Sequence, residues 1–181
     1  LVIIDTFFLT NKMLKDENFT DPYFEGLCQV LRRRNIVYVY LPVFINCETK
    51  LQFHDTLKLL AKDQVPVLTE YQLLSVADFL WIFGFIILYP FYVLRLAYTK
   101  KANSHISQVI KKELLNTIDN VTFHSFSRYL QGKKIVSLKC EYIQLISWYE
   151  NQVIDKNLYK GLRVGHSKVK IFGCQLFIIP D

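Results

Sequence analysis

Leu1-Val2-Ile3-Ile4 is an unbroken apolar run that stops at Asp5-Thr6, and Ile36-Val37-Tyr38-Val39-Tyr40-Leu41 is a second that stops at Pro42. Short runs of β-branched, aliphatic and aromatic residues without polar alternates predict strands covered on both faces. A polar connection through Asp16, Glu17 and Asp21-Pro22 separates them from a segment where Phe24, Leu27, Cys28 and Leu31 recur at helical spacing. Tyr23 to Arg34 is therefore predicted to be a helix, and Arg32-Arg33-Arg34 puts positive charge at its favourable end. Strand, helix and strand in this order predict parallel pairing with a right-handed crossover.

The same alternation continues along the chain. Glu48 to Ala61 reads as an amphipathic helix through Leu51, Leu57, Leu59 and Leu60, and Val65 to Leu68 as a short extended piece. Asn103 to Ile118 reads as a helix with Ile106, Val109, Ile110, Leu114 and Ile118 opposite Lys111 and Lys112. Val121 to Gln131 reads as a shorter helix holding His124, Arg128 and Tyr129, followed by a basic turn at Gly132-Lys133-Lys134. The apolar run that ends in Trp148-Tyr149-Glu150-Asn151-Gln152, the amphipathic stretch to Arg163 and the run Val169 to Leu176 form a second strand-helix-strand unit. The expected class is α/β, a Rossmann-like parallel sheet with flanking helices and one apolar helical insertion.

That insertion divides the chain into residues 1–72, 73–101 and 102–181, the outer two completing one α/β domain. Sixteen uncharged residues run from Phe79 to Leu94, bounded by Asp78 and Arg95. A spanning helix needs about twenty apolar residues, and Pro90 would kink this one. Three readings stand open at this level: a core helix, an element resting on a bilayer, and a true span. The second puts Trp81, Tyr89 and Tyr92 at headgroup level, with Arg95, Lys100 and Lys101 beside anionic lipid. A true span would split what reads as one sheet.

Charge reinforces the division. Residues 1–94 carry eight Lys/Arg and ten Asp/Glu, a balance of −2, while residues 95–181 carry fourteen and six, a balance of +8. A basic half that begins where the apolar segment ends suits an anionic neighbour, whether lipid headgroups, a nucleotide-linked substrate or nucleic acid, with a solvated basic surface as the competing reading. With 51% hydrophobic residues the chain has ample material for a core. Cys28, Cys47, Cys140 and Cys174 are widely spaced, without a CxxC pair or a His at ligand spacing. They predict free thiols in a reducing compartment and no metal centre. No Gly-rich phosphate loop, catalytic triad, zinc spacing or nucleic-acid module can be assembled. Nucleic acid is not an expected partner.

The candidate chemistry gathers at strand ends. Glu150, beside Trp148, Asn151 and Gln152, suits a general base or a partner for a sugar hydroxyl; a carboxylate stabilised by a helix N-terminus is the competing role. Asp5 after the first strand and Gln175 after the last suit the same cleft. His124 and His166, near basic residues, suit phosphate contact.

Ile146-Ser-Trp-Tyr-Glu-Asn-Gln-Val-Ile-Asp-Lys156, then Gly161-Leu162-Arg163, then Lys168-Val-Lys-Ile-Phe-Gly-Cys-Gln-Leu-Phe-Ile-Ile-Pro180 resembles bacterial surface-carbohydrate biosynthesis proteins, glycosyltransferases of GT-B type. Asp5 and Pro22-Tyr23-Phe24 fit the pattern more loosely, and Cys174 stands where the family has an aromatic residue. The resemblance implies two Rossmann-like domains facing a cleft. This chain would be the N-terminal, acceptor-side half, with Glu150 catalytic and Asp5, Trp148, Asn151, Gln152 and Gln175 binding substrate. The missing C-terminal domain would bind the nucleotide-sugar donor, no cofactor would be held by this chain, and the acceptor would be a glycan or lipid-linked glycan. The expected location is cytoplasmic, peripheral to the inner membrane. A non-catalytic membrane-associated scaffold of a polysaccharide assembly system is the alternative.

Overall fold

A computed structural model describes residues 1–99, 108–109, 112–113, 115, 121–138, 140–148, 152–165 and 168–175. Four strands, β1 (Val2–Leu9), β2 (Tyr38–Ile45), β3 (Gln144–Trp148) and β4 (Lys170–Cys174), form one sheet in the order β2-β1-β3-β4. Every pairing is parallel, so the α/β class with a Rossmann-like sheet is the observed one. The helices among the described residues are α1 (Thr10–Asp16), α2 (Leu27–Arg33), α3 (Lys50–Lys62), α4 (Glu70–Leu73), α5 (Val76–Thr99), α6 (Val121–Val136) and α7 (Val153–Gly165).

Side chains alternate across the sheet, and each face has its own core. Val2, Ile4 and Phe8 of β1 join Tyr38 and Tyr40 of β2 under Met13, Leu31, Leu59 and Leu60 from α1, α2 and α3. Ile3, Leu41 and Leu145, on the opposite face, pack under Ile135 of α6 and Leu158 and Leu162 of α7. Helices on both faces explain why β1 reads as a continuous apolar run. Cys28, Cys47, Cys140 and Cys174 are free thiols.

Several boundaries differ from those expected, each for a physical reason. β1 does not stop at Ile4: Asp5 and Thr6 are strand residues in register with Leu41 and Pro42. β2 likewise runs through Pro42. Tyr40 N–H donates outward to Pro66 O at 2.8 Å, so the Pro42 nitrogen, two residues on, also faces away from β1, where no donor is required. The extended piece expected at Val65 to Leu68 supplies that outer contact, through a parallel bridge between Tyr40 and Val67. α1 occupies part of the presumed polar connection. α2 starts at Leu27 because Asp21 Oδ1 accepts from Tyr23 N and Phe24 N, at 2.9 and 3.0 Å, and holds that segment in a turn. α6 continues through the expected basic turn to Val136. Gly132 lies where α6 meets α7, and an added Cβ there would fall 2.5 Å from Leu158 O. Most of the helix expected over Asn103 to Ile118 lies outside the described residues.

α5 is not a core helix. Val76–Leu96 is long and apolar enough to cross a membrane by length and composition, with a hydropathy of 1.9, yet only 11% of it is buried. Ile82 packs with Leu74 and Leu130 of α6, and Phe85 meets Phe126 of α6 at 4.5 Å between ring centroids. Leu80, Phe83, Ile87, Leu88, Phe91 and Tyr92 are exposed.

The start of α5 is closed reciprocally. Asp78 Oδ2 accepts from Ser75 N at 2.8 Å, the Ser75 hydroxyl accepts from Asp78 N at 3.3 Å, and Lys134 Nζ lies 3.0 Å from Asp78 Oδ2. Burial pushes the Asp78 carboxyl up, but the Ser75 hydroxyl and amide and the Lys134 ammonium together hold it below its ordinary value. Its contribution to stability is therefore complete above the unfolded-state pKa and is lost as pH falls through the lower folded-state value. Asp78→Ala is expected to cost about 1 kcal/mol at neutral pH. Thermal unfolding of the two proteins should show that gap narrowing as the pH is taken below 3.8, the ordinary carboxyl value.

Candidate functional site

The strand order changes direction between β1 and β3, the position at which doubly wound sheets bind ligands outside the carboxyl ends of their strands. There Asp5 of β1 lies in register with Ser147 of β3. Both continue the face that α6 and α7 cover, one step beyond Ile3 and Leu145. Asp5 is only 4% exposed and is paired in a short contact with Arg128 of α6, itself 6% exposed.

The pair belongs to a longer chain of hydrogen bonds. Ser147 Oγ donates to Asp5 Oδ2 at 2.8 Å, and the Tyr159 hydroxyl of α7 donates to Ser147 Oγ at 2.8 Å. In the other direction Arg128 Nη1 donates to Gln131 Oε1 at 3.2 Å, Gln131 Nε2 to Ser127 Oγ at 3.0 Å, and Ser127 Oγ to Glu70 Oε2 at 3.1 Å. α7, the sheet, α6 and α4 are thereby tied through polar groups at the switch point. Arg128 Nε is buried without a hydrogen-bond partner among the described residues. Buried donors are normally satisfied, so this one stands out as a polar group left over in the interior near the cleft.

A cleft of about 600 Å³ adjoins this chain. His124, Ser127, Arg128 and Gln131 of α6 form its polar wall, and Gln152 and Ile154 close the side next to α7. Phe44, Phe53 and Tyr71 line the opposite side, with Phe44 and Phe53 edge to face at 5.1 Å and Phe53 and Tyr71 at 5.7 Å. Desolvation first, and then the neighbouring Glu70 carboxylate, push the Tyr71 phenol above its ordinary pKa. The Tyr71 hydroxyl is thereby held in its protonated form against the Glu70 carboxylate. Lys50, Glu48 and Thr49, at the start of α3, complete the rim. Volume, mixed charge and an aromatic side suit a polar ligand of one or two rings.

The expected site residues fare unequally. Asp5 and Trp148 line a small pocket of about 10 Å³ that shares Val43, Arg128 and Ile154 with the main cleft, and Gln152 and His124 line the cleft itself. Trp148 is not an open platform, because its ring packs against Tyr23 at 4.4 Å and Phe24 at 6.4 Å. Gln175 is exposed beyond β4, two strands from β1, and is not among the residues lining the cleft. Glu150, Asn151 and His166 lie outside the described residues, as do Lys100 and Lys101. Trp81 and Tyr92 are exposed on α5, and Tyr89 and Arg95 lie on the same helix.

Sequence reasoning missed Arg128 and Gln131 as site residues. A signal was present: His124, Ser127, Arg128 and Gln131 fall at i, i+3, i+4 and i+7, a polar stripe on a helix otherwise carrying Phe123, Phe126 and Leu130. No acidic, His or Cys cluster capable of holding a metal occurs among the described residues. No family model, curated protein or solved structure matches the chain.

Proposed function

We propose that this chain is the acceptor-side domain of a GT-B-type glycosyltransferase, which moves a sugar from a nucleotide donor to a surface-glycan acceptor, free or lipid-linked, at the cytoplasmic side of a membrane. The observation that carries the reading is the cleft at the carboxyl ends of a parallel sheet, where a buried Asp5–Arg128 pair borders an amide, hydroxyl and aromatic lining. A sugar presents directional hydroxyls and apolar CH faces, which Gln131 and Gln152 on one side and Phe53 and Tyr71 on the other would meet. Donor binding falls to a second domain facing this cleft.

In such a transfer the acceptor hydroxyl attacks the anomeric carbon, forming a new C–O bond as the bond to the diphosphate breaks. The hydroxyl proton passes to a carboxylate base, and the nucleoside diphosphate leaves with the bonding pair. Glu150 is the base in this reading, flanked by Trp148 and Gln152. Arg128 offers positive charge, and His124 a ring N–H, against the developing negative charge.

The natural full-length protein should be incubated with membrane lipid extract and a panel of radiolabelled UDP-, GDP- and ADP-sugars. Label is expected to enter the lipid or glycan fraction, and Glu150→Gln is expected to slow it by about 10²–10⁴-fold. Unchanged turnover in that variant would remove the base assignment. A folded, membrane-bound protein that consumes no sugar in the panel would instead favour a non-catalytic scaffold of a polysaccharide assembly system.

A further inference from the structure

We propose that α5 lies within one leaflet of an anionic bilayer without crossing it, holding the whole α/β sheet on a single side. The first ground is exposure. Phe83 is 55% exposed, Ile87 67%, Leu88 64% and Phe91 70%, on a helix of which little is buried. Soluble monomers rarely leave so many large apolar side chains of one helix in water, and where they do the surface marks a contact with a membrane or a partner.

The second ground is topological. β1 precedes α5 and β3 follows it, yet Val2 to Asp5 pair directly with Gln144 to Ser147. The chain must therefore cross a membrane an even number of times, and a crossing by α5 requires a return. Between Thr99 and α6 only residues 100–120 are available, and they carry Lys100, Lys101, Lys111, Lys112, Glu113 and Asp119. Their longest uncharged run, residues 102–110, is far short of the roughly twenty apolar residues of a span. α6 cannot serve either, since Arg128 is buried in the site and Ile135 in the sheet core. With no return path, α5 does not cross.

The third ground is chemical complementarity. Trp81, Tyr89, Tyr92 and Tyr98 are residues of the headgroup boundary, and Arg95 is followed by Lys100 and Lys101 at the head of a half-chain of charge +8. α6 covers one side of the helix through Phe123, Phe126 and Leu130, leaving the other sides to the acyl boundary of the leaflet. Tyr71 on the cleft wall lies 6.2 Å from Phe79 of α5. The cleft thus opens beside the bilayer surface, where a lipid-linked acceptor would present its sugar. That last consequence rests on the transferase reading; the in-plane placement does not.

The test uses the full chain and sealed vesicles of phosphatidylethanolamine with phosphatidylglycerol, compared with phosphatidylcholine alone. Sedimentation with the anionic vesicles is expected, and trypsin added outside should cut after Lys100, Lys101, Lys111 or Lys112. Ile87→Lys combined with Phe91→Lys should weaken vesicle binding about a hundredfold, with near-ultraviolet circular dichroism unchanged. Protection of those lysines from outside trypsin until detergent is added would establish a crossing and overturn the proposal. A protein that ignores both vesicles but sediments as a dimer would overturn it too, with a second copy covering α5. None of these readouts requires sugar transfer, so the two readings fail separately.

Discussion

Arg128→Leu is expected to cost about 3–5 kcal/mol, because it removes the one cation paired with Asp5 among the described residues and leaves that buried carboxylate with the Ser147 hydroxyl as its donor there. For a chain of this size each kcal/mol lowers the melting temperature by roughly 2–4 °C, so a drop of roughly 6–20 °C should be seen by thermal unfolding. The double variant Asp5→Leu with Arg128→Leu is expected to recover most of the loss, since neither charge is then buried alone. An Arg128→Leu protein that melts with the parent would mean that the pair is not formed in solution. The expected asymmetry between single and double variants also separates a charge effect from a packing effect: lost packing alone would make the double variant worse.

The second large effect lies where α6 and α7 cross. A Cβ on Gly161 would sit 2.1 Å from Tyr129 O and 3.2 Å from Gly132 Cα, and these are backbone atoms that no rotamer change can move away. Gly161→Val must therefore part the two helices. It is expected to cost about 3 kcal/mol, at the upper end of the usual range for overpacking. Parting them also displaces Arg128 on one helix and Tyr159 on the other, so the loss should couple to the Arg128 substitution and be less than additive with it. Denaturant midpoints of the two single variants and the double variant measure both quantities. An unshifted midpoint for Gly161→Val would show that the helices do not approach this closely.

Much of the architecture is legible in the pattern of residues. Strands buried on both faces need no polar alternates, so the cores of β1, β2 and β3 stand out as apolar runs, and amphipathic spacing marks α3 and α7 between turn residues. Polar residues inside those elements mislead. Asp5-Thr6 and Pro42 look like strand ends because an unpaired carboxylate or a missing N–H is costly within a sheet. Here a helix more than 120 residues away supplies Arg128, and β2 turns the Pro42 nitrogen away from β1. Gly132-Lys133-Lys134 looks like a turn for a similar reason. Its glycine serves a close helix crossing that depends on Gly161 in another element.

The site divides along the same line. That ligands would gather beyond the first and third strands followed from the order of elements, and Asp5, Gln152 and His124 do lie at the cleft or the small pocket beside it. The hydrogen-bond chain from Tyr159 to Glu70 did not follow, because its members come from five elements and no short-range spacing links them. For α5, composition alone established an apolar helix flanked by a basic half. Its low burial, a tertiary fact, sets the core reading aside, and the in-leaflet placement proposed above draws on a second, the direct pairing of β1 with β3. Local pattern determines which segments must leave water, since each residue carries its own transfer free energy. Which neighbours receive them, and which polar groups can then be buried together, is decided only when distant segments are brought into contact.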